Sequence, residues 1–220
     1  MSEVVSPQVK LRAMLGGVGN FHLDSSETCL EILAAVLERK GEEDVVILSK
    51  GHSAPAFYVM LHEMGLLTEE ELYSFANIDG LPSHVLRGLP FIEVSSGSLG
   101  QGISVANGIA LAKRGDGKEG NVYVVLGDGE LDEGQVWEAA MTSAHYNLDN
   151  VVAIIDRNYF QLTGKTEEIL RKEPIDEKWR AFGWAVIEVP NEKEAIQAAL
   201  DYADKIKGKP KAIIVRWERD

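Results

Sequence analysis

Five short apolar runs, rich in valine and isoleucine, most constrain how this chain can fold. They occupy residues 45–48, 122–126, 151–155, 185–189 and 212–215. None of them alternates between apolar and polar side chains, as a strand with one face in water would. Apolar runs of this kind are typical of parallel strands that are buried on both faces of a sheet.

The segments between these runs carry helical patterns. Two of them repeat apolar residues at spacings of three and four: Leu30, Leu33, Ala34 and Leu37 in the first, and Val136, Ala140, Met141 and Ala144 in the second. The pairs Thr68 with Glu71 and Asn191 with Glu194 are typical of capped helix starts. Strands that alternate with helices predict an α/β fold, with a central, mostly parallel sheet of about five strands and helices on both faces.

The composition excludes several classes of protein. The 220 residues include 35 acidic and 22 basic ones, and the basic residues are interspersed with acids, which argues against nucleic-acid binding. Cys29 is the only cysteine, which excludes an intrachain disulfide and a multi-cysteine zinc site. No apolar stretch is long enough for a signal peptide or a membrane span. We therefore expect one domain over residues 1–220, located in the cytoplasm.

The most informative chemical pattern follows two neighbouring runs. Gly127, Asp128 and Gly129 come directly after the run at 122–126, and Asn158 follows the run at 151–155. Because ligands of open parallel sheets sit beyond the carboxyl ends of the strands, these residues should share one edge. A Gly-Asp-Gly segment alone is more often only a turn. Together, however, the carboxylate and the amide predict a magnesium site with room for a diphosphate.

The glycines and the next helix support this interpretation. Gly127 and Gly129 permit close approach of the backbone, and the helix that follows offers its amide-rich start to anionic oxygens. The helix also carries Glu-Gly-Gln-Val-Trp-Glu-Ala at residues 133–139, which a simple turn does not require.

The stretch VYVVLGDGELDEGQVWEAAMTSAHYNLDNVVAIIDRN, residues 122–158, resembles the thiamine diphosphate fingerprint in the N-terminal half of transketolases. The similarity extends through nearly the whole chain and implies a thiamine diphosphate-binding fold. It also implies that Asp128 and Asn158 bind Mg²⁺, or another divalent cation such as Ca²⁺ or Mn²⁺, with the backbone carbonyl of Phe160 as a third ligand. The family often has a second asparagine where Arg157 stands. The 2-oxoacid dehydrogenases share the Gly-Asp-Gly and Asn pair, but residues 133–139 resemble transketolases instead.

Three histidines and one glutamate gain roles from the resemblance, although a histidine is more often only a surface or packed residue. His52, in SKGHSAP, would contact the cofactor diphosphate. His84, in DGLPSHVLRG, would face the reacting carbon and the donor hydroxyl, and His22, in VGNFHLDSSETCLEIL, would meet sugar hydroxyls. Glu133 would lie near the interface of paired active sites, although the helix dipole alone explains an acid at a helix start.

The segment SSGSLGQGISVANGIALA, residues 95–112, has two interpretations that are compatible with each other. Its small residues allow another backbone to pack closely, which needs no cofactor. The resemblance further implies that backbone groups of Gly97 and Leu99 touch the cofactor's aminopyrimidine, while residues 100–102 open a helix.

The resemblance also implies a partner chain. Thiamine chemistry needs a carboxylate to activate the aminopyrimidine, and in transketolases that glutamate belongs to a pyrimidine-binding domain, of which this chain shows no sign. We expect a split enzyme that transfers a two-carbon ketol group from a ketose to an aldose, usually as phosphates. The C-terminal pyrimidine-binding subunit would be a separate chain, with two copies of each subunit.

Other functions remain open at this stage. The altered surroundings of His22 and His84 suit a related enzyme that acts on a specialised ketose or a 2-oxoacid. A non-catalytic interaction protein could keep the fold, but it would not need Asp128, Asn158 and His52 together. A dinucleotide-binding domain is disfavoured because no Gly-x-Gly-x-x-Gly follows a strand with a suitably placed acid.

Overall fold

The structure is a computed structural model that describes residues 5–16 and 21–217. Its α-helices are α1 (Pro7–Leu15), α2 (Leu23–Arg39), α3 (Ala54–Glu63), α4 (Glu69–Tyr73), α5 (Gly102–Gly115), α6 (Gly134–His145), α7 (Thr166–Ile169), α8 (Ile175–Ala181) and α9 (Lys193–Ala203). Its strands are β1 (Val45–Leu48), β2 (Val122–Gly127), β3 (Val151–Arg157), β4 (Phe160–Gln161), β5 (Gly164–Lys165), β6 (Ala185–Pro190) and β7 (Lys211–Arg216). In the part of the chain described, no helix has the length and apolar character needed to cross a membrane.

One five-stranded sheet forms the centre of the fold. Its strand order is β1-β2-β3-β7-β6, and every neighbouring pair is parallel. The five apolar runs of the sequence supply these five strands, so the predicted α/β class is confirmed. Strand β6 lies at an edge and is only partly buried, whereas β3 is buried along its whole length. The remaining strands, β4 and β5, form a small antiparallel hairpin just beyond the end of β3.

Helices cover both faces of the sheet, as the sequence predicts. Alternate strand residues enter two hydrophobic clusters, because successive side chains of a strand point to opposite faces. Val125 and Ile154 pack with helices α1, α2, α3 and α9, while Val124 and Ile155 pack with α5, α6 and α8. The clusters bury the sheet on both sides, which leaves its carboxyl edge as the place where polar side chains can collect.

Local predictions for the helices are confirmed in part. Thr68 and Glu71 form the predicted capping box at the start of α4. The predicted cap at Asn191 is wrong, because α9 has Glu192 at its N-cap and the Asn191 amide donates to the backbone of Thr28 instead. Met141 lies on α6 as expected but is exposed, so it does not belong to the core face of that helix.

The sheet geometry makes a direct prediction about stability. Ile154 on β3 and Ile187 on β6 pair with the same residue, Ile213, from opposite sides. Ile154 is fully buried and Ile187 only partly, so the larger cavity should form in the central strand. We expect Ile154→Ala to lower the free energy of unfolding by about 4 kcal/mol and Ile187→Ala by roughly half as much. Urea unfolding of both variants measures the difference, and equal losses would contradict the assignment of the edge.

Candidate cofactor-binding site

The carboxyl ends of β2 and β3 place Asp128 next to the segment that follows β3. Gly127 pairs with Asp156 in the sheet register, so the residues after them continue side by side. Oδ2 of Asp128 accepts the backbone N–H of Tyr159 at 2.8 Å, and Oδ1 accepts that of Gly129 at 2.8 Å. Asp128 is almost completely buried. The predicted sharing of one sheet edge is therefore what the structure shows.

Arg157 is the buried counter-charge of Asp128. Its Nη1 donates to Oδ2 of the carboxylate at 2.7 Å, and the arginine side chain has no exposed surface. The same guanidinium lies 4.0 Å from the ring centroid of Tyr159, which has a left-handed backbone with φ of 67°. A non-glycine residue in that conformation is held there by its surroundings.

Asn158 lies one residue beyond the end of β3 and is 7% exposed. Its Oδ1 accepts the backbone N–H of Phe160 at 3.0 Å, and its Nδ2 donates to the hydroxyl of Thr28 at 3.4 Å. These two bonds fix the orientation of the amide, so its oxygen and nitrogen are distinguished. Phe160 follows directly as the first residue of the β4–β5 hairpin.

A second buried ion pair lies beside the first. Lys50 lies two residues beyond the end of β1. Its ammonium pairs with Oδ2 of Asp156, and both side chains are about 1% exposed. Burial acts most strongly and lowers the pKa of Lys50, but the charge and hydrogen bond of Asp156, together with Cys29 and Asp128, raise it overall. Thr28 also donates to Asp156 Oδ2, at 2.6 Å. In the described chain, the other carboxylate oxygen, Oδ1, is buried without a hydrogen-bond partner.

Glu130 joins three loops at the sheet edge. It is 2% exposed and accepts the backbone N–H of Gly100 at 2.7 Å and that of Gly127 at 3.0 Å. It also accepts the hydroxyl of Ser49, whose oxygen in turn accepts the N–H of Gly102 at 3.2 Å. One carboxylate thus holds together the ends of β1 and β2 and the start of α5.

The three predicted histidines lie at the same edge. The His22 and His52 ring centroids are 4.8 Å apart, and the ring of Phe21 contacts both His22 and His84, at 5.2 and 6.4 Å. His52 Nε2 lies 3.0 Å from the hydroxyl of Ser25. His22 begins helix α2 with a left-handed φ of 45° and is exposed, and residues 18–20 before it lie outside the described part.

Loss of solvent contact and neighbouring positive charge lower the pKa of two of these histidines, His52 and His22. Burial, then Lys50 and the two other histidines, lowers the pKa of His52 to about 3. The pKa of His22 is lowered as well, first by partial desolvation of its otherwise exposed side chain and then by the charges of His84 and Lys50. A neutral imidazole carries one N–H donor and one acceptor nitrogen, so these rings can form directed hydrogen bonds at pH 7.

The loop before α5 reaches the histidines and Glu133. Gly97 has a φ of 147°, and a Cβ there would lie 3.0 Å from the ring of His84. Gly100 has a φ of 82°, and a Cβ there would lie 2.7 Å from the Cβ of Glu133. Both positions therefore need glycine. Leu99 is half-buried between them, and Glu133 is exposed at the N-cap of α6 without a side-chain capping bond.

The donor set suits a hard cation that is bound together with a ligand. Asp128 offers a carboxylate and Asn158 an amide oxygen, both of which are magnesium ligands. Within residues 5–16 and 21–217, no group of three His, Cys, Asp or Glu side chains could hold a metal by itself. A cation at this edge would therefore depend on backbone and ligand oxygens as well.

The fold is that of an α/β domain, and its candidate ligand site lies at the carboxyl edge of a parallel sheet. Residues 38–217 match the family model described as transketolase, thiamine diphosphate binding domain. The chain belongs to the transketolase family.

Two relatives and one solved structure show the extent of the similarity. The chain is 40% identical over 215 residues to the 6-deoxy-6-sulfo-D-fructose transketolase subunit SqwG of Clostridium sp. (strain MSTE9), with 91% of this chain and 78% of the relative covered. It is 42% identical over 177 residues to one subunit of the apulose-4-phosphate transketolase of Actinobacillus succinogenes, covering 79% and 63%. A transketolase variant from Pichia stipitis superposes with a TM-score of 0.85 at 28% identity, covering 96% of this chain and 35% of that one.

Sequence reasoning missed the residues that hold the site together. These residues are Glu130, Lys50, Asp156 and Ser25. All four lie within sequence segments quoted above, but none of them was predicted to take part in the site. A charged residue within two positions of the end of an apolar run is the signal that could have identified Lys50 and Asp156. Which groups these residues pair with depends on tertiary contacts, and the motifs do not specify those contacts.

The lowered pKa of His52 predicts acid sensitivity. An unfolded histidine takes up a proton near pH 6.5, whereas His52 in the fold does so near pH 3. The contribution of neutral His52 to the free energy of unfolding is complete above pH 6.5. It is lost as the pH falls from 6.5 toward about 3. We expect His52→Gln to flatten the decline of the unfolding free energy there, by roughly 1.4 kcal/mol per pH unit. Urea unfolding across this window tests it, with His145→Gln as the exposed control, and parallel curves for wild type and His52→Gln would contradict it.

Proposed function

We propose that this chain is the cofactor-binding subunit of a transketolase-like transferase that depends on thiamine diphosphate and Mg²⁺. The enzyme transfers a two-carbon ketol group from a ketose, or its phosphate, to an aldose. The single observation that carries the proposal is the meeting of Asp128 and Asn158 at the edge that also gathers His22, His52 and His84. A nucleotide-binding or purely structural domain has no need for this combination.

The residues of the site have distinct proposed roles. Bound thiamine diphosphate supplies the carbon nucleophile of the reaction. Asp128, Asn158 and the carbonyl of Phe160 hold the cation, and Gly127 and Gly129 let the diphosphate approach the backbone.

The remaining residues bind the diphosphate, the ring of the cofactor and the sugar. Neutral His52 donates to the diphosphate. Backbone groups of Gly97 and Leu99 contact the aminopyrimidine. His22 and His84 hydrogen-bond sugar hydroxyls and orient the donor, and Glu133 lies toward the partner active site.

A partner chain supplies the missing carboxylate in this proposal. Two relatives are themselves named as transketolase subunits, which supports a split enzyme. The partner would carry the pyrimidine-binding domain and its glutamate, in an assembly with two copies of each chain. Exposed apolar side chains on α5 and α6, or directly after α6, fit such an interface: Leu111, Met141 and Tyr146.

A specialised ketose is the favoured donor over a 2-oxoacid. The relatives named above act, by their names, on 6-deoxy-6-sulfo-D-fructose and apulose 4-phosphate. Phe21 packs edge-on against His22 and also approaches His84, so it shapes the place where a sugar would lie.

A non-catalytic interaction protein is the second candidate, and the buried, hydrogen-bonded state of Asp128 and Asn158 argues against it.

The first test is calorimetric titration of thiamine diphosphate with Mg²⁺ into this chain, alone and mixed with the product of the adjacent gene. We expect binding in the mixture and its loss in Asp128→Ala, because the cation loses the one carboxylate in its proposed ligand set. Asp132→Asn is the matched control, since Asp132 lies on the same loop but pairs with Lys172. Unchanged binding by a folded Asp128→Ala protein would support a non-catalytic role.

A donor screen then separates the candidate substrates. The assembled complex should turn over one or more ketoses or ketose phosphates in the presence of an aldose acceptor, with pyruvate inactive. Product sugars are identified by mass spectrometry. Turnover of pyruvate without any ketose activity would remove the transketolase assignment in favour of an oxoacid enzyme.

A further inference from the structure

The carboxylate of Asp128 has most of its hydrogen-bonding capacity occupied. An ionised carboxylate offers about four lone-pair positions, two on each oxygen. Oδ2 accepts from Nη1 of Arg157 and from the backbone of Tyr159, at 2.7 and 2.8 Å. Oδ1 accepts the N–H of Gly129 at 2.8 Å. By the contacts of residues 5–16 and 21–217, a single position for a further ligand is left, and it is on Oδ1.

Arg157 is held in place by other contacts as well. Its Nη1 also donates to the hydroxyl of Thr166 at 2.7 Å. Its Nη2 donates to Glu167 at 2.7 Å, and its Nε donates to Glu173 at 3.2 Å. The Tyr159 ring covers one face of the guanidinium. An arginine anchored at Nη1, Nη2 and Nε keeps its bond to the carboxylate, so Oδ2 stays occupied.

The amide oxygen of Asn158 likewise has part of its hydrogen-bonding capacity occupied. Its Oδ1 already accepts the N–H of Phe160, and an amide oxygen has two lone pairs. One lone pair therefore remains on the amide oxygen, as one remains on the carboxylate. Together the two side chains offer a cation two oxygens, and neither can bind through a pair of oxygens.

We propose that Arg157 is a positioning residue that restricts Asp128 to binding through one oxygen and so makes the cation site favour Mg²⁺ over Ca²⁺. The inference rests on the proposed function, in which the cation binds together with the diphosphate. Mg²⁺ takes about six ligands in strict octahedral geometry, whereas Ca²⁺ accepts about six to eight and often uses both oxygens of a carboxylate. A fixed site with single-oxygen ligands suits the smaller ion.

The test compares the affinities for Mg²⁺ and Ca²⁺ at saturating thiamine diphosphate, by calorimetric titration of the complex with its partner chain. Arg157→Met removes every donor while it keeps the length of the side chain. One acceptor position on Oδ2 is then free while the bond from Tyr159 remains, so both carboxylate oxygens can reach the cation, and we expect the affinity for Ca²⁺ relative to Mg²⁺ to rise by about tenfold. Melting temperatures of all variants establish that they are folded.

Arg216→Gln is the matched control for the network. Arg216 also donates to Glu173, at 2.9 Å, and to the hydroxyl of Tyr159, at 3.0 Å. Its hydrogen bonds within the described chain do not involve Asp128, so the ratio of the two affinities should stay at the wild-type value. Should Arg157→Met fail to fold, Arg157→Gln makes the same test, because its shorter neutral side chain carries no charged donor.

The outcomes separate the inference from the function on which it rests. One outcome for the Arg157 variants is that the affinities for both ions fall together while their ratio stays unchanged. That result would mean that Arg157 has a merely structural role, and it would overturn the inference alone. A wild-type complex that binds thiamine diphosphate with neither ion would overturn the proposed function as well. A raised ratio in the Arg157 variants, with Arg216→Gln unchanged, supports both.

Discussion

The parallel pairing of β2 with β3 is the constraint on which the rest of the site depends. It sets Gly127 opposite Asp156, so the two strands end side by side and the residues that follow them begin at the same edge of the sheet. Asp128 then reaches the backbone of Tyr159, and Arg157 reaches back to Asp128. Because both strands are buried on both faces, neither can slide along the other without exposing apolar side chains to water or placing polar ones in the core.

Two buried ion pairs at this edge are better explained by positioning than by stability. Removing a charge from water costs several kcal/mol, and a buried pair often repays this only in part. Burial of the pairs Lys50 with Asp156 and Arg157 with Asp128 is therefore weak evidence that they add stability. Removing one partner, however, leaves an uncompensated charge, so each pair fixes the place of a carboxylate firmly. Fixed carboxylate positions are what a cation site requires.

The rest of the edge is organised around Glu130 and the histidines. Glu130 connects the ends of β1 and β2 with the start of α5, and so the loop with Gly97 is held against His84. His22 and His52, whose pKa values are lowered, can donate and accept hydrogen bonds as neutral rings without repelling one another as cations. The edge thus gathers carboxylate and amide oxygens and hydrogen-bonding rings, in a chain that belongs to the transketolase family.

The sequence by itself determined the five strands, the helices on both faces and the shared edge of Asp128 and Asn158. These features follow from local periodicity and from the rule that parallel strands end at a common edge. Only the tertiary structure decided that β7 lies between β3 and β6, that Asn191 contacts the backbone of Thr28, and that Lys50 pairs with Asp156, 106 residues away. Such partners depend on strand order and register, which are set by the packing of the whole core and leave no periodic trace in the sequence.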